Sequence, residues 1–327
     1  MTTPLTLAGP TLVDVEAARV VVGRVSEVTP METSRYLTDV LGAPVHLKCE
    51  NLQRTGSYKI RGAYNRMSHL TDDEKARGVV AASAGNHAQG VAFAARELGI
   101  AATIFMPIGV ALPKLQATRR YGADVVLRGH TVDEPLRAAQ EFAERTGAVY
   151  IPPFDHADVI AGQGTLGLEI LDQVPDLETV IVPIGGGGLI SGVASVLKRR
   201  AAAEGREIRV IGVQASNAAP YPISLAAGEP TEITISPTIA DGIAVSKPGA
   251  LNFAIIRDAV DEVVTVDDDD IAKAMLVLLE RAKLVVEPAG AVGVAAIMTG
   301  AVHATGRTVV HKVPSTPDDP SRGVMTG

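Results

Sequence analysis

Four consecutive glycines, Gly185 to Gly188, separate an apolar run, Val180-Ile181-Val182-Pro183-Ile184, from a segment of helical spacing marked by Leu189, Val193, Val196 and Leu197. A glycine turn between a strand and a helix leaves backbone N–H groups uncovered beside the positive end of the helix dipole, a favourable seat for a phosphate. The glycines run into Leu189-Ile190-Ser191 rather than Gly-Lys-Ser/Thr, which argues against a nucleoside-triphosphate loop. No glycine of the run finds its third partner at the Gly-x-Gly-x-x-Gly offset, which argues against a dinucleotide site. Four glycines carry a large entropy cost for a bare turn, and close approach of backbone to a ligand is the better reason for them.

Two further elements carry chemistry. Lys59 stands in Ser57-Tyr58-Lys59-Ile60-Arg61-Gly62, after the turn Arg54-Thr55-Gly56 and at the start of an expected helix. A partly desolvated amine near a helix N-terminus has its charged form disfavoured and becomes a nucleophile toward an aldehyde. Any single lysine is more often a solvated surface residue, so Lys59 gains weight only in company. The segment Ser83-Ala84-Gly85-Asn86-His87-Ala88-Gln89-Gly90 links a short strand to a helix and frees N–H groups at a positive helix end, now suited to a carboxylate. Asn86 can also hydrogen-bond a planar cofactor edge. For His87, a packed helix residue with one hydrogen bond weighs at least as much as a proton carrier.

The elements that must position these residues follow from periodicity. Residues 79–82, 102–106, 124–127 and 148–150 read as strands, and 86–98, 112–121 and 132–145 between them have helical period. That βαβ series predicts a parallel sheet with helices packed on it. A second series follows: strand 179–184, helix 189–203, strand 209–213 and strand 262–266. Asp267 to Asp270 precede an amphipathic segment, 271–283, and read as carboxylates capping a helix rather than as a metal site. Pro288 suits the first turn of a last helix over 289–298. The expectation is an α/β protein of two domains, each a mainly parallel sheet flanked by helices.

Composition narrows the function classes. The chain has 327 residues, no Trp, 3% aromatics and a net charge of −7, with a pI near 5.5. It offers no stacking platform or basic patch for nucleic acid, no run near the ~20 apolar residues that span a bilayer and no signal peptide. One cysteine, Cys49, forms neither an internal disulfide nor a zinc pattern and reads as a buried thiol in a strand, Val45 to Cys49. No metal, no nucleic acid, no membrane and a cytoplasmic location are expected.

Taken together and in this order, the lysine motif Ser57 to Gly62, the Ser83 to Gly90 segment and the glycine run resemble the fold-type-II pyridoxal-phosphate enzymes, specifically the threonine dehydratase (threonine ammonia-lyase) and serine dehydratase family, whose architecture is like that of the tryptophan synthase β subunit. Asp241-Gly242-Ile243-Ala244-Val245 and Val286-Glu287-Pro288-Ala289-Gly290-Ala291 match two more family segments, and the resemblance covers residues 28–298. It implies pyridoxal 5′-phosphate held by Lys59 as an internal aldimine. The amides of Gly185, Gly186, Gly187, Gly188 and Leu189 would bind the phosphate, and Asn86 the 3′-oxygen. The loop Ser83, Ala84, Gly85, Asn86 and His87 would bind the substrate carboxylate. Lys59 would then act as general base in the elimination of threonine to 2-oxobutanoate and ammonia, with serine giving pyruvate by the same steps. The resemblance divides the chain into a large cofactor-binding domain, residues 1–51 and 150–310, and a small domain, 52–149. It also implies a homo-oligomer and a place in amino-acid metabolism such as isoleucine biosynthesis.

The chain departs from family patterns at four places. After its last strand the family has a Ser-Gly-Gly-Asn-like turn whose hydroxyl meets the pyridine nitrogen, whereas residues 308–317 here contain no such turn; Ser315 is the nearest hydroxyl and is left unassigned. Residues 311–327 read as a disordered tail. The sequence ends where many biosynthetic threonine dehydratases continue into a regulatory domain, which predicts no isoleucine feedback. Related serine racemases carry a serine where Ala84 stands, and their divalent-metal ligands are incomplete here around Gln214 to Pro220. The alternatives to a threonine ammonia-lyase are therefore a serine dehydratase or racemase-like enzyme, or a weakly active cofactor-binding homologue.

Overall fold

The structure, a computed structural model, describes residues 7–131, 133–304 and 306–312. Ser315 and most of the expected tail lie outside them. Ten strands are present among the described residues: β1 (Met31–Thr33), β2 (Val45–Cys49), β3 (Val79–Ala82), β4 (Ala102–Met106), β5 (Asp124–Leu127), β6 (Val149–Tyr150), β7 (Thr179–Pro183), β8 (Arg209–Ala215), β9 (Glu262–Val266) and β10 (Thr308–Lys312). They form two sheets, as the two βαβ series predict. The smaller has the order β5-β4-β3-β6, all parallel. The larger has the order β1-β2-β10-β7-β8-β9, parallel except for the antiparallel edge strand β1. Tyr150 belongs to the smaller sheet through its pairing with Val80, so that sheet reaches one residue past the boundary expected from sequence. The glycine run follows β7 and the Ser83 segment follows β3, so both lie at the carboxyl ends of their strands, where open α/β sheets bind ligands.

Among the helices with no counterpart in the sequence periodicity (Leu12–Val22, Arg35–Leu41, Asp72–Arg77, Ala157–Gln173, Pro220–Ala227 and Ala250–Ala259), one bears directly on the site. Ala157–Gln173 is buried along nearly its whole length, so it has no polar stripe to give a helical period, and it carries Gly162, Gly164 and Gly167 in its interior. Close packing explains the glycines. A Cβ on Gly162 would lie 2.5 Å from the Arg61 carbonyl oxygen, one on Gly62 2.9 Å from that of Val159, and one on Gly192 2.5 Å from that of Ile160. Helix Lys59–Ser68, which begins with the candidate nucleophile, and helix Gly188–Glu204, which follows the glycine run, therefore both lean backbone to backbone on this central helix.

A buried ionic cluster reinforces the first of these contacts. The Arg61 guanidinium, fully buried, donates to both carboxylate oxygens of Glu50 at 2.9 Å and to Glu169 at 2.6 and 3.0 Å. Lys48, also fully buried, pairs with Glu169 at 2.9 Å and donates to the Thr29 carbonyl and the Gln173 side chain. Two cations and two anions leave no uncompensated buried charge. The cluster ties the first turn of the Lys59 helix to the end of β2 and to the central helix.

The four aspartates before helix Asp268–Ala282 do less capping than their sequence suggests. Asp267 is at the N-cap position without a side-chain cap bond. Its carboxylate instead accepts from the Ser216 hydroxyl at 2.5 Å, and Asp268 accepts from Thr238 and the Ile239 amide. They anchor neighbouring loops, and among the described residues no cluster of three His, Cys, Asp or Glu is placed to hold a metal ion.

Because the Gly162 contact is to rigid backbone, Gly162→Ala is expected to destabilise the protein by about 1–3 kcal/mol or more. Val20→Ala, on an exposed face, is expected to stay within about 0.5 kcal/mol of the native chain. Urea unfolding of the two variants measures the difference.

Candidate active site

Lys59 is the first residue of its helix; the N-cap residue Tyr58 makes no side-chain cap bond, and the Lys59 amide donates to the Ser57 hydroxyl at 3.4 Å. Its amine donates to the Pro153 carbonyl oxygen at 2.9 Å and lies 5.4 Å from the centre of the Tyr58 ring. Loss of hydration pushes the amine down to about 8, and the nearby Glu287 carboxyl offsets only part of that. The amine's neutral fraction near neutral pH is therefore larger than that of an ordinary lysine.

The surrounding residues form a closed circuit. Phe154 follows Pro153 and lies against the glycine run: a Cβ on Gly186 would meet its ring at 2.3 Å, and one on Gly188 its Cβ at 2.9 Å. Gly187 has φ +104°, a conformation that requires glycine, and begins helix Gly188–Glu204 as its N-cap. Gly185 packs on Ile243, and the neighbouring Gly242 lies beside the Glu287 carboxylate. Glu287 in turn accepts from the Asn86 side-chain amide at 2.8 Å. Asn86 opens helix Asn86–Leu98, which crosses the Lys59 helix so closely that a Cβ on Gly90 would lie 3.1 Å from the Lys59 carbonyl carbon.

The structure therefore gathers Lys59, Asn86 and Gly185 to Gly188 around one cleft. No acceptor among the described residues takes the backbone N–H of Gly185, Gly186, Gly187 or Gly188. The Ser83 to Asn86 turn is partly exposed, with the Ser83 hydroxyl accepting from the Gly85 amide at 3.2 Å and no side chain capping the helix that follows. Leu189 is buried in the larger core behind the loop.

His87 is buried, and its Nε2 meets the Ile151 carbonyl at 2.9 Å. A carbonyl only accepts, so Nε2 carries the proton. Burial first, and the Lys59 charge second, push the imidazole down to about 3. It is a neutral packing residue, and the proton-carrier alternative falls.

Three residues of the circuit have no role that the sequence pattern assigns. Glu287 is 6% exposed, and burial, with Asp241 nearby, pushes its carboxyl up to about 8. Asp155 accepts from the amides of Ala250, Leu251 and Asn252 at 2.9–3.2 Å, which fixes the Pro153-Phe154 turn to the start of helix Ala250–Ala259. Lys114, from the helix on the smaller sheet, meets Asp241 at 2.9 Å across the mouth of the cleft. Each contact joins residues roughly 90–200 positions apart, a separation that local spacing does not reveal.

In the cofactor-free chain, labelling of Lys59 by an amine-directed reagent is expected to rise with a midpoint near pH 8, because below it the amine is protonated and above it neutral. An ordinary lysine turns over near 10.5. Peptide mass spectrometry across pH 6–11 gives the midpoint.

A partly buried lysine amine near a glycine turn whose amides have no acceptor among the described residues fits an aldehyde cofactor with a phosphate arm. Comparison with known proteins agrees. The profile of the family described as pyridoxal-phosphate dependent enzyme matches residues 24–314. The chain is 51% identical to the L-threonine ammonia-lyase of Thermotoga maritima over 288 residues, which are 88% of this chain and 71% of that protein. It is 46% identical to the catabolic L-threonine dehydratase of Escherichia coli K12 over 286 residues, 88% of this chain and 85% of that protein. Among solved structures it superposes on the processed form of threonine deaminase isoform 2 from Solanum lycopersicum with a TM-score of 0.87 at 37% identity, covering 98% of this chain and 96% of that one. The convergence of the site and the reach of the profile give one conclusion: this chain belongs to the family of pyridoxal-phosphate-dependent enzymes.

Proposed function

We propose that the chain is a threonine ammonia-lyase, converting L-threonine to 2-oxobutanoate and ammonia. The observation that carries the reading is the placement of the Lys59 amine between the glycine turn and the Asn86–Glu287 pair, in a chain whose curated relatives act on threonine by name. When bound, pyridoxal 5′-phosphate supplies an electron sink for the charge left on the substrate Cα.

In this reading Lys59 holds the cofactor through Nζ, the amides of Gly185 to Leu189 receive its phosphate, and Asn86 lies at its ring edge. The Ser83 to His87 turn receives the substrate carboxylate at the positive end of helix Asn86–Leu98. Once released, Lys59 Nζ takes the Cα proton as general base; its depressed basicity leaves more of it in the neutral form that this step needs than an ordinary lysine has. Loss of the β-hydroxyl gives aminocrotonate, which tautomerises and takes up water to yield 2-oxobutanoate and ammonia. The Ala84 methyl can neither give nor take a proton, which favours elimination over racemisation. Serine, one methyl smaller, fits the same steps and is the second substrate.

The reading takes residues 52–149 as a small domain and 1–51 with 150–310 as the large one, with Tyr150 shifted to the small domain by its pairing in the smaller sheet. It also takes the protein as a cytoplasmic homo-oligomer. The catabolic name of the Escherichia coli relative supports a degradative role over isoleucine biosynthesis. No helix of the described residues is long and apolar enough to cross a membrane.

Purified protein is expected to show the absorption of bound cofactor and to form 2-oxobutanoate from threonine, and Lys59→Ala to lose both, with turnover falling by at least ~10³-fold. Ketoacid formation by Lys59→Ala at the native rate would contradict the assignment.

A further inference from the structure

Two buried side chains outside the family motifs, Gln214 and Tyr221, bond to the glycine run from behind. Both are fully buried. The Tyr221 hydroxyl donates to the Gly186 carbonyl at 3.0 Å. The Gln214 amide is used at both ends: Nε2 donates to the Ile184 carbonyl at 3.2 Å, and Oε1 accepts from the Tyr221 backbone N–H at 3.0 Å. The two side chains are thus linked into one brace. Gln214 lies among the residues where related enzymes hold a divalent metal, yet here its amide is spent on backbone.

Peptide geometry turns this brace into a statement about the cleft. In a trans peptide the C=O of one residue and the N–H of the next point in opposite directions, and the described chain contains no cis bonds. Holding the Ile184 carbonyl toward Gln214 therefore turns the Gly185 N–H away from it. Holding the Gly186 carbonyl toward Tyr221 does the same for the Gly187 N–H. Those two N–H groups are among the amides with no acceptor in the described chain. The left-handed Gly187, with a hypothetical Cβ only 2.2 Å from the Tyr221 oxygen, keeps the hydroxyl and the loop in contact.

We propose that Gln214 and Tyr221 are positioning residues that set the polarity of the phosphate turn, fixing its carbonyls behind and its amides toward the cofactor's phosphate. The proposal rests on the reading of the glycine run as the phosphate seat and adds what orients it. Without the brace, rotation of either peptide brings a carbonyl dipole to face the phosphate, which repels it. The effect passes through the phosphate alone and leaves the aldehyde end of the cofactor untouched.

The test compares affinities of the cofactor-free full chain for pyridoxal 5′-phosphate and for pyridoxal, which lacks the phosphate, by equilibrium titration of absorbance. Native protein is expected to bind the phosphorylated form far more tightly. Tyr221→Phe, which removes one oxygen, is expected to weaken that form about fivefold to tenfold, the scale of one hydrogen bond, and to leave pyridoxal within twofold. Gln214→Met is expected to act in the same direction and more strongly. Loss of affinity for both forms alike in Tyr221→Phe means a general structural effect and overturns the proposal, as does no change in either. Equal affinity of the native chain for the two forms overturns the phosphate-seat reading itself, and the brace with it. Should Gln214→Met fail to fold, Tyr221→Phe alone decides the question.

Discussion

The site depends on one packing constraint, the close approach of two helices to the central helix Ala157–Gln173. Glycines at the crossings bring the Lys59 helix and the helix after the glycine run within backbone contact of it, so Lys59 and the glycine turn share one reference. Protein interiors do not compress, and a side chain at either crossing would move one half of the site against the other. The Arg61 cluster adds direction to this contact. Its planar fork bonds carboxylates from the end of β2 and from the central helix at once, which fixes the rotation of the helix that Lys59 begins.

Burial around the cleft has opposite effects on its two ionisable groups. It pushes the Lys59 amine down and the Glu287 carboxyl up, each to about 8, because both lose hydration of their charged forms. Below about pH 8 the carboxyl is mainly neutral and the amine mainly protonated, and above it the order reverses, so the pair carries one charge rather than two on either side of that pH. Fixed dipoles are also available, at the uncapped start of helix Asn86–Leu98 and at the glycine amides, which have no acceptor among the described residues. His87, neutral and bonded to backbone, belongs to the packing of this arrangement.

Features with local signals are legible in the sequence. The glycine run announces itself by composition, Lys59 by its position before an expected helix, and the smaller sheet by alternation of strand and helix patterns; the larger sheet is legible only in part, since β1 and the interior strand β10, whose last two residues lie in the segment read as a tail, are not among the expected strands. The central helix stays hidden because it is buried on nearly all sides, polar residues included, and is interrupted by glycines, the two features that periodicity reads as non-helical. Glu287, Asp155, Tyr221 and Gln214 show no role in the sequence for another reason. Their partners lie far along the chain or belong to backbone, and a hydrogen bond to a distant carbonyl leaves no trace in local residue spacing. The four aspartates at 267–270 illustrate the converse, since their sequence position suggests caps while tertiary partners claim two of the carboxylates.

The central claim is that Lys59, among all the lysines of the chain, is the one that carries the cofactor. Borohydride reduction of the purified holoenzyme, followed by peptide mass mapping, tests it directly, because reduction makes the linkage permanent. The account predicts the cofactor's mass on the peptide containing Lys59 and on no other. Its appearance on a different lysine, or on none, would contradict the account.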